Sequence, residues 1–251
     1  MKPDFPVSAD IPNLRTLWKL AFGDTDDFLD VFFSTAYAPT RCRCIREEKG
    51  ISAALYWMDM DLSGQKFAYI YAVATDPACR GRGLCRMLME DTAAVLTAQG
   101  YAGAILVPQE EGLRAMYGRM GYLPATTVDE VFCAASIPCP VAEISGEEYA
   151  AQRRAFAPDG SLTPGQVALN LLSKFSRFYV GEGFLAVVSR EQEHLRILEY
   201  LGDRETASAL VAALGATEAT LRAPGKGRTF SMYRPLTGTC QKPEYYPFAF
   251  D

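Results

Sequence analysis

The segment Val73–Cys85 constrains this chain more than any other: Val-Ala-Thr-Asp-Pro-Ala-Cys-Arg-Gly-Arg-Gly-Leu-Cys. A β-rich stretch, Phe67–Thr75, ends in Asp76-Pro77 and enters a basic glycine turn, Arg80-Gly81-Arg82-Gly83. A helical pattern follows over Leu84–Gln99, with Leu84, Leu88, Val95 and Leu96 on its inward face and Gly100 as its stop. Such a strand, turn and helix start form an anion cradle. Glycines let the backbone approach a ligand. The helix N-terminus offers unpaired N–H donors and the positive end of its dipole. Arg80, Arg82 and Arg86 add fixed positive charge, and a diphosphate is the natural guest. Other phosphate loops do not fit. GxxxxGK[ST] is absent, and GxGxxG would need glycine at position 86, which is Arg86. The bland alternative is a strand-to-helix turn with solvated arginines, so the surrounding pattern has to decide.

That pattern is mixed α/β. Ile11–Phe22 reads as a helix, and Asp24 or Thr25 can cap a second one. Arg41–Arg46, Ile51–Leu62 and Phe67–Thr75 read as strands, with turns at Lys49-Gly50 and Ser63-Gly64. Ala102–Val107 reads as a buried strand, Glu110–Met120 as a helix and Thr126–Ile137 as extended chain. Pro138-Cys139-Pro140 is the expected domain boundary, giving units at 1–137 and 138–251. Beyond it, Ser145–Phe156 and Asp203–Leu214 read as helices. Thr163-Pro164-Gly165-Gln166 has the form of a capping box opening a further helix to about Phe175. Phe178–Ser189 and His194–Leu201 read as a hairpin, and Thr217–Arg222 with Thr229–Arg234 as a final strand pair. A strand–helix–strand rhythm thus occurs in each half.

Composition narrows the function classes. The net charge is −5 over 251 residues, so no overall electrostatic pull draws the chain to nucleic acid or to a membrane surface. The longest uncharged run, Thr92–Gln109, is broken by Gly100, Gly103 and Pro108 and does not read as a membrane span. The 7 cysteines contain no CxxC pair, and one histidine, His194, leaves no histidine-based metal site. Free thiols and no apolar leader point to a cytoplasmic location.

The loop resembles the acyl-CoA loop of the GNAT acetyltransferase superfamily, Gln/Arg-x-x-Gly-x-Gly/Ala. Arg80 and Gly83 match its first and fourth positions, and Cys85 stands where glycine or alanine is usual. The resemblance spans roughly residues 11–137. It implies a GNAT acyl-CoA N-acyltransferase fold, followed here by a smaller GNAT-like α+β unit. It implies acetyl-CoA as acyl donor, lying between the strand ending at Thr75 and Ala102–Val107, and no metal. Backbone groups of Val73, Ala74 and Thr75 would meet the pantetheine arm. The Arg80–Gly81 turn and the backbone N–H groups of Arg82, Gly83, Leu84 and Cys85 would hold the pyrophosphate. A small-molecule amine or peptide amine would attack the thioester directly. Tyr117, in Leu113-Arg-Ala-Met-Tyr117-Gly-Arg-Met-Gly121, sits where a family tyrosine protonates the departing thiolate.

No general base is legible. Asp59, Asp61, Glu110 and Glu111 qualify by type and lean toward a cationic acceptor, though each also reads as a surface charge. His194 reads as a surface residue. The two-part arrangement resembles GNAT proteins of the enhanced-intracellular-survival type, without their third domain. In those, the C-terminal carboxylate enters the active site, which would give Asp251 a catalytic role. The second half lacks Arg-x-x-Gly-x-Gly and carries Gly202-Asp203-Arg204 instead, so one CoA site is expected. Two rivals stand beside the enzyme: an acyl-CoA sensor without turnover, and a scaffold with an empty loop. Oligomeric state is not legible.

Overall fold

The computed structural model describes residues 2–48, 50–191 and 194–250. In chain order its strands are β1 (Cys42–Glu47), β2 (Gly50–Leu62), β3 (Gln65–Thr75), β4 (Gly103–Leu106), β5 (Leu123–Pro124), β6 (Thr127–Ala134), β7 (Val141–Ile144), β8 (Thr163–Pro164), β9 (Ser176–Gly181), β10 (Phe184–Glu191), β11 (His194–Gly202), β12 (Glu218–Pro224), β13 (Arg228–Thr229) and β14 (Met232–Pro235). The helices are α1 (Ile11–Phe22), α2 (Asp26–Thr35), α3 (Leu84–Ala98), α4 (Glu111–Gly118), α5 (Gly146–Phe156), α6 (Gln166–Phe175) and α7 (Ala207–Ala213). The class is mixed α/β, as the sequence pattern requires.

Two compact units share the chain. The first takes the chain up to Leu123, then Gly165–Leu171 and Met232–Gln241. The second takes Pro124–Pro164, Leu172–Ser231 and the chain from Lys242 on. This differs from a single boundary at Pro138–Pro140. Thr127–Ala134 pairs with β12 and so belongs to the second sheet, while Met232–Pro235 pairs with β4 in the first. Both segments are short and extended, and nothing local to them specifies which sheet they join.

The first sheet has the order β1-β2-β3-β4-β14-β5. Its β3 and β4 are parallel and joined through α3, whereas β1, β2 and β3 form an antiparallel meander. α1 buries Leu14, Leu17 and Trp18, which share a face at the i, i+3, i+4 spacing. α2 starts where the Thr25 side chain accepts the Phe28 N–H at 3.3 Å. On α3, Leu84, Leu88 and Leu96 pack into a core with Leu55, Trp57, Ile70 and Leu106.

The second sheet has the order β13-β6-β12-β11-β10-β9-β7. Its β11 and β12 are parallel across α7, repeating the β3–α3–β4 arrangement. Two expected elements change here. The strand read as Phe178–Ser189 is two strands, β9 and β10, because Glu182-Gly183 makes a turn with Gly183 at φ +76°. The capping box at Thr163–Gln166 does not form, since Thr163–Pro164 is extended and α6 begins at Gln166. The final strand pair also dissolves, with β12 and β14 in different sheets. Ser145 does form a reciprocal capping box with Glu148 at the start of α5.

The tail packs within the second unit as far as Phe248. Tyr245, Tyr246 and Phe248 are buried, and Leu162 N–H donates to the Tyr245 carbonyl at 2.9 Å. Asp251 lies outside the described residues. No helix among the described residues is long and apolar enough to cross a membrane.

Candidate acyl-CoA site

The site lies in the first unit, where β3 leaves its neighbour. The parallel ladder pairs Phe67, Ala68 and Tyr69 with Gly103, Ala104 and Ile105. Past Tyr69 the two strands part, so among the described residues the β3 edge carrying Val73, Ala74 and Thr75 has no ladder partner on the β4 side. A bulge lies on the same stretch. The pairs Ala54–Ala74 and Tyr56–Tyr71 leave Leu55 opposite two residues, Ala72 and Val73. Ala72 sits at φ +47°, a left-handed conformation that an alanine adopts at a cost of about 1–2 kcal/mol. Backbone groups that a regular sheet would consume are left available to an extended ligand.

The loop that follows is fixed at its base. Asp76 N–H donates to the Ser52 carbonyl, and the Asp76 side chain accepts from Ala78 N–H at 2.8 Å. Gly81 and Gly83 take φ +77° and +76°, and a Cβ at either would meet no atom within 4 Å. Their role is backbone conformation, with open space above them. Gly83 is the N-cap of α3 and supplies no capping side chain. The first-turn N–H groups, from Leu84 and Cys85 onward, therefore lack the side-chain acceptor that a Ser, Thr or Asp cap would give. An anion fits there.

The arginines divide the work differently from the sequence expectation. Arg82 turns its guanidinium to Glu47 in a two-pronged pair, at 2.6 and 3.0 Å. The same carboxylate accepts from Ser52 and from the Cys79 thiol. The Arg82 hydrogen bond, followed by that of Ser52, pulls the Glu47 carboxyl down to about 2. Arg82 is thus a brace that leaves its backbone for the ligand. Arg80 is exposed, and Arg86 reaches the Arg119 carbonyl only at 3.5 Å. Glu47 and Ser52 escape sequence reasoning because nothing in their spacing links them to the loop.

Tyr117 projects from α4 into the apolar cluster that holds Leu84 and Leu88 and against which Val73 and Cys85 pack. It is 7% exposed and meets Tyr122 edge-to-face at 5.8 Å between ring centroids. Burial, reinforced by the nearby Cys85 thiol, pushes the phenol well above its ordinary value. Burial also raises Cys85. One cluster therefore gathers the bulged strand, the uncapped helix start and a phenol that stays protonated.

Three of the four acids named as bases are bonded within the protein. Asp59 is bound by Arg41 and by the Tyr101 hydroxyl, which also accepts from Trp57 Nε1 at 3.1 Å. Burial first, then the Asp59 bond, pushes Tyr101 up to about 12. Asp61 closes the β2–β3 turn by accepting from Gly64 N–H at 3.2 Å. Glu110 precedes α4 as its exposed N-cap, and Glu111 pairs with Arg114 at 3.4 Å. His194 is exposed in the second unit.

In that second unit Gly202-Asp203-Arg204 occupies the corresponding strand-to-helix turn. The Asp203 side chain accepts from Glu205 N–H at 3.0 Å, so the donor a phosphate would seek is taken. Arg204 is paired with Asp129 at 2.7 Å.

Residues 7–125 match the acetyltransferase (GNAT) domain model. That segment resembles a GNAT acetyltransferase domain, and the fold of the chain is that of the GNAT proteins. Its structure is similar to a GCN5-related N-acetyltransferase from Anabaena variabilis, with TM-score 0.74 and 15% identity over 94% of this chain and 73% of that one. It is similar to a GCN5-related N-acetyltransferase from Kribbella flavida, with TM-score 0.70 and 17% identity over 93% and 70%. Eis1 from Mycobacterium abscessus gives 0.69 and 15% over 94% and 74%. At these identities the likeness is one of fold. No curated protein matches the sequence.

Proposed function

We propose that this protein moves an acetyl group from acetyl-CoA to a primary amine by direct attack. The observation that carries the reading is the joining of three features in one unit: the opened β3 edge, the uncapped glycine-led start of α3, and buried Tyr117 on the cluster beneath both. In this account Val73, Ala74 and Thr75 take the pantetheine arm by their backbone. The Arg80–Gly81 turn and the N–H groups of Arg82, Gly83, Leu84 and Cys85 take the pyrophosphate.

The amine nitrogen forms a C–N bond to the acetyl carbon, and the C–S bond breaks. Sulfur leaves with the electron pair and receives the Tyr117 proton. The surplus proton on nitrogen passes to a base or to water, and the phenol regains a proton from solvent. Asp251 as that base rests on family resemblance alone. Removing Asp251 should lower kcat at unchanged acetyl-CoA affinity, and an unchanged kcat would withdraw the assignment. Tyr117→Phe separates an enzyme from a sensor: CoA-thiol release should fall while acetyl-CoA still binds.

We also read the second unit as a degenerate GNAT-like copy without a CoA site. The parallel β11–α7–β12 crossover and the self-capped turn at Asp203 support this. The described cysteines are all free thiols, which suits a reducing compartment such as the cytoplasm.

A further inference from the structure

Of the acids that leaned toward a cationic acceptor, Asp59, Asp61 and Glu111 are bonded within the protein, and a different surface adjoins the bulge. Tyr71, the residue before Ala72, pairs across the ladder with Tyr56. Both rings pack on Trp18, at 5.6 and 5.1 Å between centroids, and Phe32 closes on Trp18 at 4.6 Å. Phe33 and Tyr37 continue the cluster, 4.9 Å apart. Trp18, Phe32 and Tyr56 are buried, whereas Phe33, Tyr37 and Tyr71 are half-buried and make the edge of the cluster.

Two observations point beyond core packing. Tyr56 is 4% exposed, and its hydroxyl is buried without a hydrogen-bond partner among the described residues. A ring needed only for packing would lose nothing as phenylalanine, whereas a buried hydroxyl without a partner forfeits its hydration. Three carboxylates beside the cluster are also committed. Asp24 accepts from Trp18 Nε1 at 2.7 Å, and Asp26 and Asp30 are held by Arg15 at 3.0 and 2.8 Å. Arg15 itself lies over the Phe33 ring at 5.6 Å. A polycation finds no uncommitted charge in these groups.

We infer that the acceptor is a primary amine on a compact, ring-bearing apolar body, seated on the rim made by Phe33, Tyr37 and Tyr71 beside the Ala72 bulge. This rests on the acetyl-transfer reading above. Aromatic faces bind such a body by stacking and edge contacts, and the bulge sets its amine close to the β3 edge. An ether or carbonyl oxygen on the ring would satisfy the Tyr56 hydroxyl once a rim ring gives way.

The test is acetyl transfer to 2-phenylethylamine, its 4-methoxy derivative and spermidine, with acetyl-CoA binding followed separately by calorimetry. The arylalkylamines should exceed spermidine by at least about tenfold in kcat/KM, the scale on which apolar pockets discriminate. Phe33→Ala, a rim change that leaves the buried rings in place, should erase most of that preference through KM with kcat nearly unchanged. Tyr56→Phe should remove the advantage of the methoxy compound while keeping the fold, read by circular dichroism. Acetyl-CoA binding with acetylation of spermidine alone, or of none of the three, would overturn the inference and leave the donor site intact. So would a Phe33→Ala enzyme with undiminished preference. Absence of acetyl-CoA binding would instead overturn the acetyl-transfer reading itself.

Discussion

Tyr117 and Glu47 carry the clearest residue-level consequences. A phenol already protonated at neutral pH and pushed higher by burial keeps its proton across the working range. Its titration should therefore place no alkaline limb on the rate profile up to about pH 10. Tyr117→Phe should lower kcat by about 10²-fold or more, the usual worth of a positioned acid, with acetyl-CoA affinity kept. Glu47 behaves oppositely. Its folded-state carboxyl lies at about 2 against an ordinary 4.5, so the brace to Arg82 stabilises the loop fully above about pH 4.5 and is lost as pH falls toward 2. The Tm gap between the wild type and Glu47→Gln should be constant above that window and close below it. A gap that persists at pH 2 would deny the brace. The glycine turn is legible in the sequence because its chemistry is local, and Tyr117 is reached only through the family resemblance. Sequence alone misses Glu47, because a carboxylate at the end of β1 meets Arg82 only after the sheet has formed.

Among the elements, β3 stands under the most strain. Ala72 at φ +47° should accept glycine with a change from neutral to about 1 kcal/mol more stable, the relief being partly offset by glycine's greater freedom when unfolded. Ala72→Val should destabilise by about 1 kcal/mol or more and weaken acetyl-CoA binding, since a β-branched residue resists that conformation. Urea unfolding of the two variants checks both. Gly103, opposite Phe67, has no room for a Cβ, which would lie 2.5 Å from the Phe67 ring and 2.9 Å from the Cys240 sulfur. The helices α1, α2, α3 and α5 are legible as sequence because their apolar spacing, caps and stops are local. The bulge is not, since alanine gives no sign of a positive φ. The partners of β6 and β14 are not either. Each is a short extended run, and its sheet is chosen by contacts far away in the chain.

At the scale of the molecule, each unit has its own heart. The second is built on a buried charge network. Arg153 and Glu199 are 2% and 0% exposed and lie 2.8 Å apart, with Tyr149 donating to the same carboxylate and the Leu162 carbonyl accepting from Arg153 at 3.0 Å. Glu199→Ala should destabilise by about 3–5 kcal/mol, because it leaves a buried guanidinium without its counter-charge. Chemical denaturation reads this directly, and a loss under about 1 kcal/mol would show that water reaches the pair. The first unit carries the central claim, that the loop at Arg80–Cys85 binds acyl-CoA. Calorimetric titration of acetyl-CoA into the wild type and Gly83→Asp tests it most directly. Nothing lies within 4 Å of a Cβ at Gly83, so the substitution adds a carboxylate over the helix start without a steric clash. The account predicts micromolar binding to the wild type, about −8 kcal/mol, and none to a folded Gly83→Asp protein. Equal binding by both, or no binding by the wild type, would contradict it.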